Sequence, residues 1–409
     1  MINPLSIAIL ATILFGPNSE IDLDFFHDFE KKHGNRQNVM FVPACDRLFH
    51  VDWLEAPNKY KTLSVICEGS LNDDGALREL PRFVARRQVE ALREMGYVMK
   101  SAFEFEYLVL NRKTQRPEVD KFDYACFSCL DEYASWLYEL DTHLAKNGIA
   151  VRTMQSEFHK GQLEYSFIPQ EGLVTADNAY MFKQAIKEVG RRHGKLISFM
   201  PVMFNEGKSG AHFNHSLVKV ADETKAFWRS ENKDKMSQEC RWWLGGLLRH
   251  LPALTALSCP TVNCYRRLHR PFAPGKVEWG VDNRLLALRI MNQDPGSMRI
   301  EFRLPSAACN AYLVIAGVVA AGIDGLKNRI EPSKQDANPD APSLPHSLDE
   351  ALTILSNDDV ISEALGGNFV EWYCRFKRSM ELDVLRGHDM KKTIAEELKA
   401  EREMYMIRI

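Results

Sequence analysis

Apolar residues recur along this chain with two periods, and the shorter period marks its chemistry. In Phe103-Glu104-Phe105-Glu106-Tyr107 the aromatics alternate with acids. A strand has a side-chain period of two, so Glu104 and Glu106 share one face and the rings share the other. The same alternation isolates Glu164 in Gln162-Leu163-Glu164-Tyr165 and groups His212, Asn214 and Ser216 in the segment 212–216. In the segment 299–303 it sets Arg299, Glu301 and Arg303 opposite Ile300 and Phe302.

The longer period predicts helices. Residues 81–95 begin with Pro81 and stop at Gly96, as a helix with proline first and glycine last should. Residues 132–146 end at Asn147-Gly148. A third helix is expected over about 178–193, with Thr175 or Asp177 as N-cap and Gly194 after its end, and a fourth over 242–250. Residues 311–323, rich in Ala, Gly and Val, fall short of the roughly 20 residues of a membrane span and read as a helix buried on all sides. Residues 329–346, with Pro332, Pro339, Pro342 and Pro345, read as an exposed loop, and 348–409 as helices. There is no internal repeat.

Composition narrows the class. The chain has 409 residues, 45% hydrophobic and 26% charged, with a net charge of −3. It has enough apolar material for a large core and no cationic excess for nucleic acid or a membrane surface. Nine scattered cysteines point to a reducing, cytoplasmic setting rather than a disulfide framework. Residues 5–15 are apolar but lack a basic flank and a clear cleavage site, so a docked segment or an alternative first exon ranks above a secretory signal. The lone Cys126-Phe127-Ser128-Cys129 pattern is read as chance, Trp242-Trp243 as core or subunit contact, and His250, His269 and His346 as surface or helix-end residues. No glycine-rich phosphate loop occurs.

Any one of the alternating strands alone reads as a wet sheet face. If their polar faces meet, Glu104, Glu106, Glu157, Glu164 and Glu301 converge, which needs cations to be tolerable. Carboxylates with one histidine suit Mg²⁺ or Mn²⁺. Arg267, Arg284, Arg289 and Arg303 supply forks that match phosphate and carboxylate oxygens. Arginines beside a divalent-metal cluster suggest phosphoryl transfer.

In order along the chain these segments resemble the catalytic domain of the glutamine synthetase superfamily. The resemblance rests on Glu104-Phe105-Glu106, on Glu157 through Gly161-Gln162-Leu163-Glu164, on Phe199-Met200-Pro201, on Ser209-Gly210-Ala211-His212, on Asn263 through Arg267-Leu268, and on Asn283-Arg284 with Arg299 through Arg303. It implies an α+β fold, a curved and mainly antiparallel sheet backed by helices, over residues 38–409. Residues 1–37 are too short for the family's N-terminal β-grasp domain. It implies a ring homo-oligomer (a dodecamer in many members) and a ligase that joins glutamate to ammonia or an amine through a γ-glutamyl phosphate, with ATP and two or three Mg²⁺ or Mn²⁺ per site.

The implied roles follow residue by residue. Glu106, Glu157 and Glu164 hold one metal; Glu104, His212 and Glu301 hold a second. Arg284 and Arg289 contact the nucleotide phosphates, with Asn214 and Ser216 near the nucleotide. Arg267 and Arg303 hold glutamate and its acyl phosphate, with Gly207 and Lys208 where the family places an Asn-Gly pair. The chain departs from the family at that pair, at Asn214 (where a second histidine is usual), and in the segment 269–274, which lacks the usual glutamate. The segment 337–339 offers no tyrosine for nucleotidylation. Further similar stretches, among them 82–103 and 348–376, point to the lengsin branch. That branch implies an alternative: a non-catalytic structural or chaperone-like oligomer beside intermediate filaments.

Overall fold

The computed structural model describes residues 39–54, 61–71, 75–118, 124–204, 207–336, 339–386 and 393–409. The apolar segment 5–15, the domain boundary expected at residue 37 and part of the segment 337–339 lie outside them. The described chain opens with a three-stranded antiparallel sheet: β1 (Val39–His50), β2 (Leu63–Leu71) and β3 (Gly75–Ala76). It is tied to the rest of the molecule by polar contacts. His50 N–H donates to Asn147 Oδ1 at 2.6 Å, and Glu68 accepts from both Arg82 and Arg86.

The main sheet has nine strands. Its path is β10 (Trp279–Val281), β11 (Leu288–Met291), β12 (Arg299–Phe302), β9 (Ala211–Lys219), β4 (Tyr97–Asn111), β6 (Gln162–Phe167) and β5 (Val151–Ser156). The short strands β7 (Gln170–Glu171) and β8 (Lys195–Ser198) pair with the ends of β4. All pairings are antiparallel except β10 with β11. The α+β class and the mainly antiparallel sheet backed by helices are as expected.

The alternation in β4 sets the two faces of this sheet. Phe103, Phe105 and Tyr107 are fully buried and pack against Phe213, Phe182 and Phe199, with ring centroids 4.7–6.4 Å apart. Helices cover that apolar face. They are α1 (Pro81–Glu94), α2 (Phe127–Asp131), α3 (Ala134–Lys146), α4 (Val174–Arg192), α5 (Gln238–Ser258) and α6 (Ala311–Asn328). Three shorter helices follow, α7 (Leu348–Ser356), α8 (Asp359–Leu365) and α9 (Gly367–Lys377); the last runs into a π-helical turn, Arg378–Asp383, and a single helical turn, Val384–Arg386, and α10 (Ile394–Tyr405) is the last helix. Helix α6 has the length and apolarity of a membrane span, yet it is buried on every side from Ala311 to Gly325. It lies so close to α5 that a Cβ on Gly246 would stand 2.1 Å from the Ala321 carbonyl oxygen and one on Gly322 would stand 2.4 Å from Trp243.

Several helix expectations shift. The third predicted helix begins at Val174 rather than near residue 178, because Thr175 and Asp177 do not cap it. Thr175 Oγ1 donates to the Ser101 carbonyl, and Asp177 accepts from Arg82 and from Tyr312. The helix expected over 132–146 is α3, starting at Ala134, and the short α2 precedes it. The helix expected over 242–250 extends from the Ser237 N-cap through Pro252 to Ser258, where packing on α6 outweighs the proline. The proline-rich segment is irregular, but it is pinned along the edge strand β10. Trp279 Nε1 donates to the Ser333 carbonyl at 2.8 Å, Asp336 N–H donates to the Trp279 carbonyl at 2.9 Å, and Leu344 is fully buried. It covers a sheet edge that would otherwise present unpaired backbone groups.

Candidate active site

Strand register lines up the acids on the polar face of the sheet. Glu106 stands opposite Glu164, Glu104 opposite His212, Glu301 opposite Asn214, and Arg289 opposite Glu301. These residues, with Glu157, Arg267, Arg284, Arg303, Gly207 and Lys208, line one cavity of about 880 Å³. Of the residues given a metal, substrate or nucleotide role from the sequence, Ser216 alone does not line it. It shares a strand face with His212 but pairs with Lys100, about 14 Å further along β9 at a rise of about 3.4 Å per residue.

Two groups of ligands form on the floor. His212 Nδ1 lies 3.4 Å from Glu301 Oε1 and 3.6 Å from Glu104 Oε2, and one ligand atom from each of the three residues lies within 4.8 Å of the others. The second group is bridged by amides. Gln155 Nε2 donates to Glu157 Oε1 at 3.0 Å and to Glu164 Oε1 at 3.2 Å, and Gln162 Nε2 and Gly210 N–H each donate to Glu106 Oε2 at 3.0 Å. Burial and crowding oppose ionisation here. Burial pushes Glu104 and Glu106 up. Burial, and then the Glu106 charge, raises Glu157 to about 7; burial and then Glu104, Glu106 and Glu157 raise Glu164 to about 9. Burial and then Arg303 hold His212 well below the usual imidazole range, in the neutral form that ligates metals. Burial also opposes ionisation of Glu301, but the Arg303 charge and the hydrogen bond from Arg289 keep it below the usual carboxylate range.

The arginines border these groups. Arg289 Nη1 donates to Glu301 Oε2 at 2.8 Å, and Arg303 pairs with the other oxygen of the same carboxylate. Arg267 is fixed by the chain at the end of β12, donating to the Leu304 and Arg303 carbonyls at 2.9 and 3.0 Å. Gly210 makes room for it, since a Cβ there would stand 2.8 Å from Arg267 Nη2. Arg284 is exposed at the rim.

Residues 78–395 match the family model "Glutamine synthetase, catalytic domain". The chain belongs to the glutamine synthetase family. It is similar to the glutamine synthetase of Thermotoga maritima, with 34% identity over 85% of this chain and 81% of the relative. It is also similar to the lengsin of Rattus norvegicus, with 28% identity over 83% of this chain; there it spans only 61% of the relative's length. Among solved structures it resembles a novel glutamine synthase homolog, with TM-score 0.77 and 25% identity over 87% of this chain and 83% of the other. A GmaS/ADP complex shares the fold, with TM-score 0.78 and 23% identity over 97% and 91% of the two chains. Glutamine synthetases are oligomeric enzymes that use ATP, divalent metals, glutamate and ammonia or amines.

The donor set of this glutamine synthetase homologue fits a hard divalent cation: carboxylate oxygens and one neutral imidazole, with no thiolate. Where the family has its second histidine, Asn214 donates to Glu104 Oε1 at 2.9 Å and accepts from Arg299 Nε at 2.8 Å, so it couples an arginine to a ligand carboxylate. Lys208 Nζ donates to the Pro271 carbonyl at 2.7 Å and braces the turn 269–274.

Sequence reasoning missed the supports. Asn263 donates to Glu401 Oε2 at 2.7 Å, and Arg266 grips Glu401 with its guanidinium fork, so α10 anchors the turn that carries Arg267. No motif marks Glu401; its burial among these partners is visible only in the fold. Gln162 could have been found, because its Gly-Gln motif was already in view. Of the three histidines read as surface or helix-end residues, His269 and His346 are exposed as expected and His250 is not. His250 is buried between Asp324 and Asp358, at 2.9 and 2.7 Å, because α5, α6 and the start of α8 meet there. His269 and His346 stack at 3.9 Å beside the turn 269–274.

Proposed function

We propose that this chain is an ATP-dependent carboxylate–amine ligase of the glutamine synthetase type, forming a γ-glutamyl amide. The observation that carries this reading is the convergence of Glu104, Glu106, Glu157, Glu164, Glu301, His212, Arg267, Arg289 and Arg303 on one cavity, with Arg284 at its rim. Glu106, Glu157 and Glu164 would hold one Mg²⁺ or Mn²⁺, and Glu104, His212 and Glu301 a second. Such ions, when bound, neutralise polyphosphate charge and polarise the transferring phosphoryl group.

The chain's own groups do the rest. Arg284 and Arg289 bind nucleotide phosphates, and Asn214 keeps Glu104 oriented. Arg267 and Arg303 hold the glutamate carboxylates. The Arg303 Nε–H is buried without a hydrogen-bond partner among the described residues, a donor left for an anionic substrate. With glutamate held beside the γ-phosphate, a γ-carboxylate oxygen attacks phosphorus and ADP leaves. The amine nitrogen then attacks the acyl carbon and phosphate leaves. Such catalysis is mostly positioning and charge neutralisation, which the rigid strands supply. We further propose a ring homo-oligomer acting in the cytoplasm.

Purified protein with Mg²⁺, ATP, glutamate and a panel of amines should release phosphate only when a nitrogen donor is present. Glu301→Gln, which unpairs Arg289 and Arg303, should abolish release while leaving assembly intact. Absence of amine-dependent release from the wild type, with metal still raising its thermal stability, would support the lengsin-type structural role instead.

A further inference from the structure

Three aromatic rings at the mouth of the cavity have no place among the roles above. Tyr124 and Phe158 stack with centroids 4.3 Å apart and 10° between planes, yet remain 43% and 51% exposed. Both line the cavity, as does Phe272 on the turn 269–274, which is 77% exposed. Phe272 sits at φ +63°, a left-handed conformation that a residue with a side chain rarely adopts. The turn is nonetheless held in place. Its Pro271 carbonyl accepts from Lys208, Ala273 N–H donates to the Arg270 carbonyl at 3.0 Å, and His269 N–H donates to the Pro274 carbonyl at 3.1 Å.

The charges around this opening are one-sided. Arg152, Arg270, Arg284 and Lys208 line it, and the turn 269–274 contains no acid. The acids lie deeper, and Phe158 directly follows Glu157. A bare ammonium ion would use none of the aromatic surface. A diamine or polyamine would place its second cation among the arginines. A single ammonium head directed toward the glutamates, with an apolar tail on the stacked rings, satisfies both gradients.

We propose that the nitrogen donor is a primary monoamine with an aliphatic or aromatic tail, and that the Tyr124–Phe158 stack and Phe272 form its tail subsite. This rests on the ligase reading above. The step is balanced: R–NH₃⁺ and the γ-glutamyl phosphate dianion give the γ-glutamyl–NHR amide, HPO₄²⁻ and one H⁺. A C–N bond forms, the C–O bond to phosphate breaks, and of the two protons lost by nitrogen one goes to phosphate and one to water.

The test follows phosphate release by the full chain with Mg²⁺, ATP and glutamate, using ammonium chloride, n-butylamine, 2-phenylethylamine and putrescine in turn. The kcat/KM for butylamine and phenylethylamine should exceed that for ammonium and for putrescine by about tenfold or more, the scale of apolar-pocket discrimination. Phe158→Ala and Tyr124→Ala should each lower the phenylethylamine-to-ammonium ratio by about tenfold, mainly through KM, and Phe158→Leu should lower it less. Ammonium or putrescine matching the monoamines in the wild type overturns the inference, as does an unmoved ratio in both alanine variants. Release with ammonium alone overturns this inference and leaves the ligase reading standing. Release with no nitrogen donor overturns both.

Discussion

Glu164→Gln should make the metal-free protein more stable while removing most of its response to metal. Burial and the neighbouring Glu104, Glu106 and Glu157 carboxylates push Glu164 to about 9 from an ordinary 4.5. Between those values the folded protein holds a proton that the unfolded chain gives up. Stability therefore falls as pH rises from about 4.5 to about 9. At about 1.4 kcal/mol per pH unit above 4.5, the penalty carried at pH 7 is at most ~3.5 kcal/mol. Water reaching a half-buried carboxyl reduces the expected gain from the neutral amide to ~1–2 kcal/mol. Urea unfolding in EDTA at pH 6, 7 and 8 reads this directly, and the gain of the variant over the wild type should widen with pH. Adding Mn²⁺ at a hundred times its dissociation constant should stabilise the wild type by ~2.7 kcal/mol and the variant by less than half of that. A variant that loses stability in EDTA at pH 8, or keeps the full manganese response, would refute the claim that these carboxylates are crowded together for a cation.

Other expectations concern the frame around the site. His250 should make stability pH-dependent with the opposite origin. Burial would lower its pKa, but Asp358 and Asp324 raise it, so its contribution is complete below about 6.5 and is lost as pH rises through the raised folded value; His250→Gln should flatten that limb of a stability–pH curve. Gly246→Ala should cost ~3 kcal/mol, the upper end for overpacking, because the new methyl meets the backbone of α6 and no rotamer relieves it; the urea midpoint should drop with an unchanged m-value. Glu401→Gln breaks a buried ion pair with Arg266, a change worth ~3–5 kcal/mol, and should raise the KM for glutamate more than that for ATP by loosening the turn that carries Arg267.

The legible parts of this molecule are those in which one short stretch of sequence fixes the answer. Period-two alternation put Glu104 and Glu106 on one face and Phe103, Phe105 and Tyr107 on the other, and the structure keeps that division. Proline and glycine marked both ends of α1. Residues whose partners lie far along the chain were not legible. Asp177 resembles an N-cap until Arg82 and Tyr312 claim its carboxylate. His250 resembles a helix-end residue until α6 and α8 bring an aspartate to each ring nitrogen. Ser216 obeys the same alternation as His212, but alternation fixes a face and not a distance along it, and the cavity ends before Ser216 is reached.

The physical case for a working metal site lies in what the arrangement costs. Glu104, Glu106, Glu157 and Glu164 are all driven toward the neutral form by burial first and, in Glu106, Glu157 and Glu164, by one another as well. Arg289 and Arg303, which pair with the two oxygens of Glu301, relieve Glu104 only in part, as Arg303 does Glu106, and both carboxyls still stay above their usual range. The amides of Gln155 and Gln162 orient the Glu106, Glu157 and Glu164 oxygens without supplying positive charge. A scaffold selected for rigidity alone would be more stable with amides or apolar residues at these positions, since a buried ionic group is weak stabilisation at best. What the carboxylates provide is a set of oriented oxygen donors that becomes favourable once divalent charge enters. The guanidinium groups of Arg267, Arg284 and Arg303 then stand on the substrate side of that charge, where anionic glutamate and phosphate can be held between the two.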